Sequence, residues 1–98
     1  MGKVVFILRV DYNNDGDSQH DILGVFSNIE NARKEMNQQF ELDKKDSWFS
    51  SCFINGKFDE DYADERGIEL EISDNRICIC ENYWDRYTEF IIEGYEIK

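Results

Sequence analysis

Residues 21–42 read DILGVFSNIENARKEMNQQFEL, and the two halves of this stretch follow different periods. Asp21 to Phe26 is a short apolar run that reads as a strand. Ser27-Asn28-Ile29-Glu30 then matches the capping box S-x-x-E, in which the Ser27 hydroxyl accepts from the Glu30 N–H and the Glu30 side chain reaches back to the Ser27 N–H. Phe26 stands where a staple residue would. Ile29, Ala32, Met36 and Phe40 follow at spacings of three, four and four, which is one face of a helix. Arg33, Lys34, Glu35, Asn37 and Gln38 take the remaining positions. The pattern predicts a helix from Ser27 to about Leu42. A helix with one apolar stripe must cover it with something, and a sheet is the natural partner.

Working outward, Lys3 to Tyr12, KVVFILRVDY, is β-branched and aromatic, with apolar residues on both faces until Arg9. That pattern suits a strand buried on both sides for part of its length, hence a central one. Asn13 to Gln19, NNDGDSQ, is a turn cluster, so the first two strands should form a hairpin with an acidic tip. On the other side of the helix, Trp48 to Ile54, WFSSCFI, reads as a strand ended by Asn55-Gly56. Phe58 to Arg66 is an acidic loop or short helix. Gly67 to Ser73 alternates Ile68, Leu70 and Ile72 against Glu69 and Glu71. Arg76 to Glu81 sets Ile77 and Ile79 against Cys78 and Cys80, making a second hairpin around Asp74-Asn75. Thr88 to Ile97 is a last strand. These readings give one α+β domain spanning 1–98, a mostly antiparallel sheet of about five or six strands with one helix packed on one face.

The composition narrows the function classes. The chain has 98 residues with 11 basic and 22 acidic side chains, a formal charge of −11. No apolar run approaches the roughly 18 residues of a membrane span; with no secretory leader in the sequence, a cytoplasmic location is expected. A nucleic-acid-binding protein carries a Lys/Arg patch. Here the densest basic cluster, Lys44-Lys45, is flanked by Asp43 and Asp46, so direct binding to nucleic acid or an anionic membrane is disfavoured. The acid is also uneven: residues 1–49 hold six basic and nine acidic groups, residues 50–98 five and thirteen.

Catalytic and metal patterns are thin. Asp11, Asn13, Asp15 and Gly16 match positions 1, 3, 5 and 6 of a Ca²⁺ loop, with Asp17 next, but position 12 is Ile22, which cannot ligate. Asp11, Asn13, Asp15 and Asp17 therefore stand as a weak Ca²⁺ site, with no other cofactor expected. Cys52, Cys78 and Cys80 lack the C-x₂₋₄-C spacing of structural zinc, and His20 is the only imidazole, which also leaves a nucleophile–base pair little to work with. The six glycines are isolated, so no phosphate loop is present. A non-enzymatic role is expected.

The remaining feature is the acidic set. Asp59, Glu60, Asp61, Asp64 and Glu65 fall within seven residues, and Glu69 and Glu71 share a strand face beyond them. Tyr62, Tyr83, Trp84 and Tyr87 are interleaved and would serve as interface anchors. Carboxylates in rows on a sheet imitate phosphate spacing and attract a Lys/Arg channel with fast, salt-sensitive association. The partner-binding residues expected are Asp59, Glu60, Asp61, Tyr62, Asp64, Glu65, Glu69 and Glu71.

The segment DILGVFS at 21–27, with Ala32 in the helix after it and Gly-Tyr-Glu-Ile at 94–97, resembles small bacterial and phage α+β proteins with a "GVFS" strand end followed by a capped helix. That resemblance implies a fold and no site. In size and acidity alone the chain resembles phage-encoded anti-CRISPR proteins and other DNA mimics, which implies occupation of a basic, nucleic-acid-binding surface, such as that of a bacterial defence nuclease. An immunity or antitoxin protein neutralising a basic toxin shares the same surface logic, and a small Ca²⁺-responsive domain is the alternative of a different class.

Overall fold

A computed structural model describes residues 3–14, 16–82 and 85–97. In chain order the elements are β1 (Lys3–Asn14), β2 (Asp17–Phe26), α1 (Ile29–Lys45), a 3₁₀ turn (Ser50–Cys52), β3 (Phe53–Ile54), β4 (Lys57–Phe58), α2 (Glu60–Arg66), β5 (Ile68–Ser73), β6 (Arg76–Glu81) and β7 (Arg86–Ile97). The main sheet has five strands in the order β2-β1-β7-β6-β5, and β3 and β4 form a separate two-stranded ribbon. Every pairing is antiparallel. The α+β architecture with a main helix on one sheet face is as the sequence predicts.

β1 is interior in strand order, lying between β2 and β7, but the expected burial on both faces is not found: Val5 and Ile7, on the face away from Leu8 and Val10, stay only half-buried. It pairs with β7 without interruption from Lys3↔Ile97 to Asn14↔Arg86. The core lies on one side of the sheet. Leu8 and Val10 of β1, Phe90 and Ile92 of β7 and Ile77 and Ile79 of β6 are buried there together with Ala32, Met36 and Phe40 of α1. The 3₁₀ turn and α2 extend the cover over the β5–β6 half with Cys52 and Ala63. Phe40 joins the two halves: its ring centroid lies 5.9 Å from Phe49, 5.7 Å from Phe53 and 6.4 Å from Phe90. Aromatic contacts at these distances add stabilisation beyond area burial.

Three details differ from the sequence reading. The N-cap of α1 is Asn28 rather than Ser27: its side-chain oxygen accepts from the N–H groups of Glu30 at 2.7 Å and Asn31 at 3.4 Å. Both residue types are strong caps, and the Glu30 side chain, expected to reach back to Ser27, is ion-paired with Arg33 at 2.8 Å. The WFSSCFI segment is not a strand over its length; only Phe53–Ile54 pair, and Ser50–Cys52 wind into a 3₁₀ turn. Phe49 and Cys52, three apart, are both buried. A strand would set them on opposite faces, whereas a 3₁₀ turn eclipses them on one. The acidic tip of the first hairpin is also shorter than expected, because Asn13, Asn14, Asp17, Ser18 and Gln19 all belong to the β1–β2 ladder.

Candidate functional site

The acidic run after Phe58 folds into α2 because its own residues cap it. Asp59 is the N-cap, its carboxylate accepting from the Tyr62 N–H at 3.2 Å. Gly67 closes the helix with φ 70°, the left-handed conformation that favours glycine, and a Cβ there would lie 2.5 Å from Asn82 Oδ1 and push that side chain aside. Ala63 turns inward and is buried. Glu60 with Asp64, and Asp61 with Glu65, therefore form two i, i+4 rows on the exposed side. β5 follows as the sheet's edge strand, with Glu69 and Glu71 exposed. Glu60, Asp64, Glu69 and Glu71 meet around a shallow depression of about 340 Å³ floored by Phe58, Ile68 and Leu70.

Four of the eight expected partner-binding residues are thus brought onto one surface. Asp61 and Glu65 lie exposed on the adjacent row. Asp59 is occupied as a cap. Tyr62 is no free anchor, since it packs against the core and the Arg66 guanidinium carbon lies 4.4 Å from its ring centre. Glu71 is ion-paired with Arg76 at 2.8 Å, and Arg76 also holds Glu89. Tyr83 and Trp84 lie outside the described residues.

The Ca²⁺-loop residues do not converge. Asp11 Oδ1 lies 2.9 Å from His20 Nδ1 and 3.2 Å from Arg9 Nε. The Asn13 side-chain amide donates to the Asp85 carbonyl at 3.3 Å. Asp17 pairs with Asn14 and so takes the face opposite to Asp11 and Asn13. Asp15 lies outside the described residues, and among the described residues no group of three or more His, Cys, Asp or Glu side chains is placed to hold a metal. Cys78 and Cys80 share one sheet face while Cys52 sits in the core on the other. Burial pushes the Cys78 thiol up to about 12 and raises those of Cys52 and Cys80, so thiolate is scarce at neutral pH.

A second acidic site, absent from the sequence reading, lies under the far end of the first hairpin. α1 has 17 residues, about 25 Å of helix. β1 has 12 residues, about 40 Å of strand. The helix therefore ends before the hairpin does. The uncovered part of the sheet, the last turn of α1 and Ser47–Trp48 enclose a cleft of about 530 Å³. Its aromatic walls are Tyr12, Trp48 and Phe90, and its carboxylates are Asp17, Asp21 and Asp43, with Gln19 and Gln39 among them.

A β-bulge opposite Leu8 and Arg9 sets this lining. Ile22 faces Arg9 and Asp21 faces Val10. An unbulged ladder continuing from Gly24↔Leu8 would turn Ile22 inward and Asp21 outward. The bulge instead leaves Ile22 65% exposed and directs Asp21 to the core side, where the Tyr12 hydroxyl donates to it at 3.1 Å. That hydrogen bond, with burial and the Asp21 charge behind it, raises the Tyr12 phenol. Burial and then the neighbouring Asp46 raise the Asp43 carboxyl. Among the described residues the Asp43 carboxylate has no hydrogen-bond or ion-pair partner. Trp48 Nε1 donates to Thr88 Oγ1 at 3.0 Å, which fixes the indole. The signal available in the sequence was polar residues at every second position, 17, 19 and 21, within a run that is polar throughout from 17 to 21; it becomes legible only once the bulge sets the face.

No protein-family model, curated protein or solved structure matches this chain. No helix among the described residues is long and apolar enough to cross a membrane.

Proposed function

We propose that this protein is a non-enzymatic acidic binding module that occupies a basic, nucleic-acid-binding surface of another protein, as a phage-encoded inhibitor of a bacterial defence nuclease would. The observation that carries this reading is the α2–β5 surface, where Glu60, Asp64 and Glu69 stand around one depression together with Glu71, itself ion-paired to Arg76, and no Lys or Arg among the described residues lines it. Their carboxylates are held by a capped helix and a paired strand, so their spacing is fixed before any partner arrives. Fixed charge of one sign steers a complementary surface and raises the association rate, with an effect that salt removes. The exposed edge of β5 adds unpaired backbone groups beside that charge, and the acids keep a second acidic strand from pairing there.

The test is capture of partners from nuclease-treated bacterial lysate by the immobilised protein, beside a Glu60→Lys, Asp64→Lys, Glu69→Lys variant. A basic protein retained by the original chain, released by moderate salt, displaced by duplex DNA and lost with the variant is the expected result. Retention that is indifferent to the charge reversal or to the DNA competitor sinks the assignment.

A further inference from the structure

We propose that the cleft between α1 and the first hairpin is a receptor for the side chain of one arginine presented by a basic protein partner. This rests on the reading of the protein as a binder of basic surfaces, and it adds a specific pocket remote from the α2–β5 edge.

The lining carries the argument. The sheet face that α1 packs on is apolar through Leu8, Val10, Phe90 and Ile92 and turns acidic only where the helix stops. The bulge produces that change at the cost of leaving Ile22 in solvent, so the inward Asp21 is opposed to simple hydrophobic burial. No Lys or Arg lines the cleft, and Asp43 is half-buried there with its carboxylate unpartnered among the described residues. Partial burial already raises this carboxyl, so a cation brought beside it meets a partly desolvated anion.

The shape selects the cation. A guanidinium is planar, carries five donors and stacks on aromatic faces, whereas an ammonium is a compact, strongly hydrated point charge. The cleft offers flat walls in Tyr12 and Trp48, carboxylate acceptors in Asp21 and Asp43, and amide oxygens in Gln19 and Gln39. One face of Trp48 is already taken by a guanidinium, with Arg86 Cζ 4.8 Å from its ring centre, so stacking of an incoming guanidinium falls to Tyr12. The volume of about 530 Å³ lies within the span of small-ligand sites and exceeds one side chain, leaving room for the adjoining backbone.

The experiment is titration of N-acetyl-arginine amide into ¹⁵N-labelled protein, following the Trp48 indole N–H and the side-chain amides of Gln19 and Gln39. Saturable shifts at these three groups are expected, with weaker binding by N-acetyl-lysine amide and none by the uncharged isostere N-acetyl-citrulline amide. Asp21→Asn and Asp43→Asn are near-isosteric and should each weaken binding about fivefold. Gln19→Lys, which tethers an ammonium in the cleft, should abolish it, and Glu60→Lys with Asp64→Lys should leave it unchanged. The proposal is overturned by equal shifts with citrulline, by undiminished binding in both aspartate variants, or by no saturable shift up to about 50 mM. If the cleft fails while charge reversal at α2–β5 still releases the captured partner, this inference falls alone. If arginine binds the cleft but the α2–β5 reversal has no effect on capture, the edge assignment falls instead.

Discussion

Asp43 shows at the scale of one residue how a site opposes stability. Its carboxyl is raised by partial burial first and by Asp46 second. An aspartate in the unfolded chain titrates near about 3.9. Between that value and the raised folded one the native state holds the extra proton, so stability falls as pH rises through the window and stays lower above it. Asp43→Asn is therefore expected to be more stable than the parent at neutral pH, with the difference vanishing below about pH 3. Urea denaturation at the two pH values measures this, and an equal gain at both would detach it from ionisation. The sequence gives no hint of Asp43's role. Asp43 sits in a charged run, DKKD, that reads as a solvated loop beyond the helix, whereas the helix runs on to Lys45 and the half-buried state of Asp43 depends on strands distant in the chain. Asp59 was legible as an acid and not as a cap, because a cap is defined by the geometry after it. Glu60, Asp64, Glu69 and Glu71 were legible as a set because a short helix and an edge strand keep charge on their outer faces.

Among the elements, α1 was legible from its period and only slightly misplaced at its start. The capping geometry carries its own test. Asn28→Ala should cost about 1 kcal/mol in urea denaturation, while Ser27→Ala should be close to neutral. Equal losses would return the cap to Ser27. The aromatic contacts of Phe40 predict a larger loss for Phe40→Ala, about 3–5 kcal/mol by the same measurement; a loss under about 1 kcal/mol would mean that the Phe49–Phe53 cluster closes over the gap. The first hairpin could be read from its apolar runs and turn cluster and the second from alternation, since those signals are local. The 48–54 segment was misread because a short apolar run fits a strand and a 3₁₀ turn equally until the burial of Phe49 and Cys52 separates them. The bulge in β2 was invisible for a related reason. One residue of register exchanges the two faces of a strand, and DSQHDILGVF has no clean alternation to fix it.

The whole molecule is elongated, 51 × 30 × 19 Å, with a radius of gyration of 14.6 Å against about 13 Å for an average domain of this length. Its long axis reflects the 12-residue strands β1 and β7, which outrun the elements packed on them. A charge of −11 on so small a body repels itself. Screening should therefore raise the melting temperature between low salt and about 0.3 M. Thermal unfolding followed by circular dichroism reads the effect, and a fall with salt would show that the ion pairs of Arg9, Arg76 and Arg86 outweigh the net repulsion. The strand order has a kinetic consequence. β2–β1 and β6–β5 are hairpins that can each close locally within microseconds. They meet only through β7, the last strand in the chain, inserted between β1 and β6. The decisive contacts, such as Leu8 beside Ile92, thus join residues more than eighty positions apart. Loop closure of that length precedes any reward from packing. The chain should therefore fold slowly for its size, with the β1–β2 hairpin and the β5–β6–β7 meander formed first and the seam between β1 and β7 closing last.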